Sequence, residues 1–156
     1  MSNQTHARHH VRHVLDELGR SLDIDLTLDD DDACFFEHQD GWHMAILLPD
    51  EQQIVTAVSV LSNVSAPDED IWPALVEFGW VGAHTGGAAL SWNPESRSFV
   101  LWYSRDVLST TADELNALLL KLCQAVAVIR PALSDSVFSR SAPDAARTPA
   151  HSMVKV

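Results

Sequence analysis

Four histidines near the start of the chain, His6, His9, His10 and His13, recur at i, i+3 and i+4 spacing, which on a helix lets two imidazoles share one divalent ion. The cluster reads as lacking a carboxylate or thiolate at matching spacing, and a terminal helix turn supplies no pocket around a metal. A polar, partly protonated helix face accounts for it better. The run Asp29 to Asp32 suggests calcium, but a calcium-binding loop of the EF-hand type needs Gly at its sixth position and Glu at its twelfth, and starts at Asp23, Asp25 and Asp29 fail both tests. Gly86-Gly87 fits no phosphate-cradling pattern, because the chain after it runs into a strand instead of a helix. A nucleophilic Cys or Ser needs a base beside it, and His38, His43 and His84 stand in no context that marks either partner. No catalytic residue, metal site or cofactor is assigned, and an enzyme is not expected.

What remains points to binding. From Leu18 to Leu48, the stretch LGRSLDIDLTLDDDDACFFEHQDGWHMAILL sets dense acidic charge against strand-forming apolar residues. Between Asp16 and Asp70 about fifteen acids face the single base Arg20, whereas the second half is nearly balanced. A formal charge of -12, with only ten scattered Lys and Arg residues, argues against nucleic acid and anionic membrane, whose affinity rests on clustered cations. The same field solvates the protein and steers a basic partner toward it. No contiguous apolar run approaches a membrane span, and MSNQTHARHH lacks a secretory h-region, so a cytoplasmic location without membrane insertion is expected. Cys34 in a strand and Cys123 on the apolar side of a helix read as reduced, buried thiols.

The elements that position these residues follow from periodicity. Val11, Val14, Leu15, Leu18 and Leu22 predict an amphipathic first helix with Thr5 as N-cap and a last turn weakened by Gly19. Leu26 and Leu28 then alternate with Asp25, Thr27 and Asp29 in an extended segment. Strands are predicted over Ala33 to His38, Trp42 to Leu48 and Ile54 to Leu61, broken at Asp40-Gly41 and Pro49-Asp50. Ile71, Trp72, Leu75, Val76 and Phe78 give a short middle helix. Ala88 to Trp92 and Phe99 to Tyr103 form a hairpin around Asn93-Pro94-Glu95-Ser96. Thr111-Ala112-Asp113-Glu114 is a capping box opening a long helix that is expected to stop at Pro131. The fold class is thus α+β, one domain in the order α-β-β-β-α-β-β-α with a twisted antiparallel sheet, spanning residues 1–133. From Ser134 the composition turns to Ser, Pro, Ala and isolated charges, so residues 134–156 read as a flexible tail.

Phe99, Leu101 and Tyr103 point to one face of the last strand, and Val100 and Trp102 to the other, so both faces need cover. The first and last helices shield one side, leaving Trp72, Trp80, Trp92 and Trp102 either in a monomer core or at a homodimer interface. The homodimer reading places Trp72, Leu75, Leu90, Trp92, Leu101 and Tyr103 at that interface.

Together, LGRSLDIDLTLDDDDACFF, HTGGAALSWNPES and the helix ending VIRPAL, in that order, resemble the Tir chaperone/CesT and SycE family, the class I chaperones of bacterial type III secretion. The likeness covers most of Val11 to Leu133. It implies a cytosolic homodimer without cofactor or ATPase activity. Such a protein binds the N-terminal region of secreted effector proteins and keeps them soluble and ready for export, a role tied to virulence. Carried onto this chain, the effector-facing surface is the first helix with the first three strands, through Leu22, Leu26, Leu28, Phe36, Trp42 and Met44. The size, acidity and added tails look like the broad-specificity HpaB-type chaperones, which implies many effectors and contact with the secretion ATPase. The alternatives are a dimeric adaptor or regulator of another pathway, and a metal-binding protein using the histidine cluster.

Overall fold

The computed structural model describes residues 3–62, 64 and 85–138. The expected middle helix, with Trp72 and Leu75, lies outside the described residues, as does Trp80. Helix α1 (Asn3–Leu22) buries Val11, Val14, Leu15 and Leu18 on one side, as their spacing dictates. It starts two residues before Thr5, which therefore lies inside the helix and not at its cap. It ends in a Schellman turn: Asp23 takes a left-handed conformation (φ 55°), and the Ile24 amide donates to the Gly19 carbonyl at 3.0 Å. Residues 24–32 then run back without regular structure, with Leu26 buried and Leu28 half-buried.

Five strands follow: β1 (Ala33–Glu37), β2 (His43–Leu47), β3 (Gln53–Leu61), β4 (Ala89–Asn93) and β5 (Ser98–Asp106). They form one antiparallel sheet in the order β1-β2-β3-β5-β4. Each tight turn has its chemical cause. Gly41 supplies φ 78° at the first, where His38 also stacks on Trp42 with ring centroids 4.8 Å apart. The Asp50 carboxylate accepts from the amides of Gln52 and Gln53 at 2.7 and 2.8 Å, and the Asn93 side chain accepts from those of Glu95 and Ser96 at 2.9 and 3.3 Å. Although β4 precedes β5 in the chain, it pairs on the far side of β5 from β3, so β4 is an outer strand among the described residues.

Helix α2 (Ala112–Phe138) opens on the capping box: the Glu114 amide donates to Thr111 Oγ1 at 3.3 Å while the Glu114 carboxylate accepts from the Thr111 amide at 3.0 Å. It does not stop at Pro131 but runs through it to Phe138. Pro131 and Ala127, whose carbonyl loses its helical partner to the proline, are both exposed residues, and wholly buried Leu133 lies in the next turn. By length and composition the helix over Ala112–Asp135 is apolar enough to cross a membrane. In the fold it is the core helix: Leu115, Leu118, Leu119, Leu122, Val126 and Ile129 are buried, with Leu120 and Val128 exposed on its outer side. It lies across β3 and β5, and α1 packs on it from the same side of the sheet.

Candidate functional site

The helices cover one side of the sheet. Cys34, Met44, Ile46, Ile54, Val58, Phe99 and Leu101 face it and are buried. Residues of opposite parity face the other side, which no described element covers. There the register forms a row across all five strands, Phe35–Ala45–Ala57–Trp102–Ala89. Two aromatic rings therefore stand on either side of a floor of two alanines, flanked by Leu47, Val55 and Val100. At about 4.8 Å per strand the rings are roughly 14 Å apart. Trp102 is half-buried and donates from Nε1 to Ser91 Oγ at 2.9 Å. Phe35 is 71% exposed, the largest exposure of any bulky apolar side chain among the described residues. It sits on β1, an edge strand, whose outward backbone groups are a template for another strand.

The Schellman turn at the end of α1 opens a cleft of about 610 Å³ lined by Leu15, Asp16, Gly19, Arg20, Asp23, Ile24, Asp25 and Leu26. Leu22 and Ile24 beside it are 40% and 44% exposed. Three carboxylates against one guanidinium give the cleft negative character, and residues 21–96 contain no Lys or Arg at all. The four consecutive aspartates divide into two kinds. Asp29 Oδ1 accepts from the amides of Asp31 and Ala33, both at 2.9 Å, and Asp32 pairs with Arg8 at 2.9 Å, a contact with the geometry of an ion pair and not of a hydrogen bond. Arg8 Nη2 also donates to the Asp29 carbonyl at 2.8 Å, tying this turn to α1. Asp30 and Asp31 point to solvent and supply the free charge.

Of the residues expected to face a partner, Leu22 is exposed, and Leu28, Phe36 and Trp42 are half-buried at the margin of the core. Leu26 and Met44 are buried in the chain's own core: Met44 has the parity of the helix-covered face of β2, and Leu26 lies in the return segment after α1. Leu90 and Trp92 lie half-buried on edge strand β4, Trp92 tilted against Phe99 with centroids 4.9 Å apart. Leu101 and Tyr103, also expected at an interface, are buried on the helix-covered side, where the Tyr103 hydroxyl donates to the Gly86 carbonyl. Phe35, Ile24 and the Phe35–Trp102 row were not singled out from sequence. Parity would have found Phe35 had the buried face of β1 been known.

The histidines diverge. His10 Nε2 contacts the Thr110 carbonyl at 3.0 Å, whereas His13 lies 3.5 Å from Glu17, so a carboxylate does stand at matching spacing, one turn on from the cluster. Among the described residues no group of three metal-ligating side chains converges. Both cysteines are free, Cys34 buried and Cys123 half-buried. Burial pushes the Cys34 thiol above its ordinary pKa; a backbone hydrogen bond from Thr27 opposes this, and the charges of Asp29 and Asp25 add to it.

This helix–sheet frame has known counterparts. The model of the Tir chaperone protein (CesT) family matches residues 13–130, from within α1 to within α2. The chain belongs to the Tir chaperone protein (CesT) family. As such it is a chaperone, with the α+β architecture of that family. In shape it is similar to a chain of the HopA1–SchA chaperone–effector complex, at TM-score 0.67 and 14% identity over 80% of this chain and 96% of that one. It is also similar to a chain of the ExsC–ExsE complex, at 0.68 and 14% over 80% and 93%. A third likeness is to a chain of the heterodimeric ExoU–SpcU complex from the type III secretion system of Pseudomonas aeruginosa, at 0.58 and 14% over 75% and 95%. At such identity these likenesses are of fold. Compared by sequence with individual curated proteins, the chain has no match.

Proposed function

We propose that this CesT-family chaperone binds the N-terminal segment of type III secreted effectors in extended form, along the β1 edge and the surfaces beside it, and holds it soluble and export-competent. The observation that carries the reading is Phe35: a large, exposed ring on a strand that, among the described residues, is an edge of the sheet, in a stretch of 76 residues (21–96) with no Lys or Arg. An added strand gains main-chain hydrogen bonds whatever its sequence, and alternate side chains select it. Apolar residues of the effector meet Phe35 and the cleft at Leu22 and Ile24, while its cations meet Asp23, Asp25, Asp30 and Asp31. Leu28, Phe36 and Trp42 border this surface. Complexes such as HopA1–SchA, a chaperone with its effector, support the partner class.

The reading extends to a homodimer that uses the β4 edge with Leu90 and Trp92, and Trp72 and Leu75 of the middle segment. It includes service to several effectors, as in HpaB-type chaperones, and hand-over to the secretion ATPase in the bacterial cytoplasm, with no enzymatic step. Affinity capture from a secreting cell, paired with export assays in a deletion strain, tests it. Effectors whose N-terminal segments become protease-resistant on the chaperone, and whose export falls on deletion, are the expected result. A monomer that retains no secreted protein contradicts it.

A further inference from the structure

The outer edge of β1 is closed at one rung and open at the next two. The Asp32 carbonyl accepts from the Leu48 amide at 2.9 Å, and the His38 amide donates to the Trp42 carbonyl at 2.9 Å. By the alternation of an antiparallel ladder, residues 32, 34, 36 and 38 turn their backbone groups toward β2, and 33, 35 and 37 turn theirs outward. Ala33 is already filled from its own chain. Its amide donates to Asp29 Oδ1 at 2.9 Å, and its carbonyl accepts from the Asp29 amide at 2.8 Å. Asp29 thus makes, with one side-chain and one main-chain group, the pair of bonds that a residue of an added strand makes. Among the described residues no hydrogen bond fills the outward groups of Phe35 or Glu37.

We infer that Asp29 is a register stop: an added client strand pairs with β1 only at Phe35 and Glu37, and the Asp29 clamp on Ala33 ends its footprint. The inference rests on the reading of this edge as the client surface. It also specifies the client. Phe35 and Glu37 share one face of the strand, so the residues opposite them lie two apart on the same face. An apolar residue beside Phe35 and a cation beside Glu37 satisfy both, and the absence of Lys and Arg from residues 21–96 disfavours an acidic strand. A short run with a Lys or Arg two residues from an aliphatic side chain is the recognised class.

Residue-resolved amide exchange on the full chain tests the stop, with Asp29→Ala and with Asp29→Asn, which keeps the Oδ1 acceptor. In the free proteins, the Ala33 amide should exchange about tenfold or more slowly relative to Phe35 and Glu37 in the unaltered chain and in Asp29→Asn, and lose that protection in Asp29→Ala. A synthetic peptide TKTVTVT should slow Phe35 and Glu37 in all three proteins and slow Ala33 further only in Asp29→Ala; the peptide TETVTVT should not. The inference is overturned if TKTVTVT binds without protecting Phe35 and Glu37, or if Ala33 stays protected in Asp29→Ala. If neither peptide nor any secreted protein binds, the client reading itself falls, and the clamp is judged on Ala33 in the free proteins.

Discussion

Gly19 and Ile24 meet backbone to backbone where α1 ends: the Ile24 amide donates to the Gly19 carbonyl at 3.0 Å, and a Cβ placed on Gly19 would lie 2.6 Å from the Ile24 carbonyl oxygen. The glycine that weakens the helix by propensity is what lets the return segment close against it. Gly19→Ala should therefore destabilise the protein by about 1–3 kcal/mol despite gaining about 1 kcal/mol of helix propensity. Asp23→Gly relieves a left-handed residue and should leave stability within about 0.5 kcal/mol or raise it. Urea denaturation of the two variants checks the opposite signs.

Arg8 holds the aspartate turn to α1 by two contacts, with the Asp32 carboxylate and the Asp29 carbonyl. Both charged side chains are largely shielded, so Arg8→Ala strands Asp32 and should cost about 1–3 kcal/mol. Arg8→Lys should recover less than half of it, because a point charge does not reproduce the guanidinium fork. Denaturation midpoints at unchanged slope measure both.

The buried thiol gives a pH dependence of definite sign. Burial raises the folded-state pKa of Cys34 above its ordinary value of 9.0, so the unfolded chain loses that proton first. Its contribution is fully present below about pH 9 and is lost as pH rises through the folded pKa. Tyr103, also raised by burial from 10.0, acts in the same direction at higher pH. Stability should thus fall on the alkaline side, and Cys34→Ala should flatten the start of that fall. A thiol reagent at pH 8 should label half-buried Cys123 before Cys34.

Much of the fold was legible because local chemistry and tertiary packing agree. The Thr111–Glu114 capping box, the Asp40-Gly41 and Asn93-Pro94 turns and the five strands lie where their residues demand. Two things were not. Strand order is one: nothing local to β4 says that it pairs with β5 and not with β3, the strand before it in the chain. Within β1, the neighbours Phe35 and Phe36 are equally apolar, and only the packing of α1 and α2 decides that Phe36 borders the core and Phe35 the open face. For the same reason Leu26, Met44, Leu101 and Tyr103 could not be told from surface residues by alternation.

Phe35 lies at the centre of the client edge, and its exposure makes it safe to alter: Phe35→Lys should change stability by no more than about 0.5 kcal/mol while blocking strand addition at the edge. The most direct measurement places a photo-crosslinking phenylalanine derivative at position 35 in a secreting cell and identifies what it joins. Covalent adducts with the N-terminal segments of secreted proteins, competed by unlabelled effector and absent when the probe stands at the solvent-facing Gln39, are the expected result. Adducts with folded regions alone, adducts equal at both positions, or none at all would contradict it.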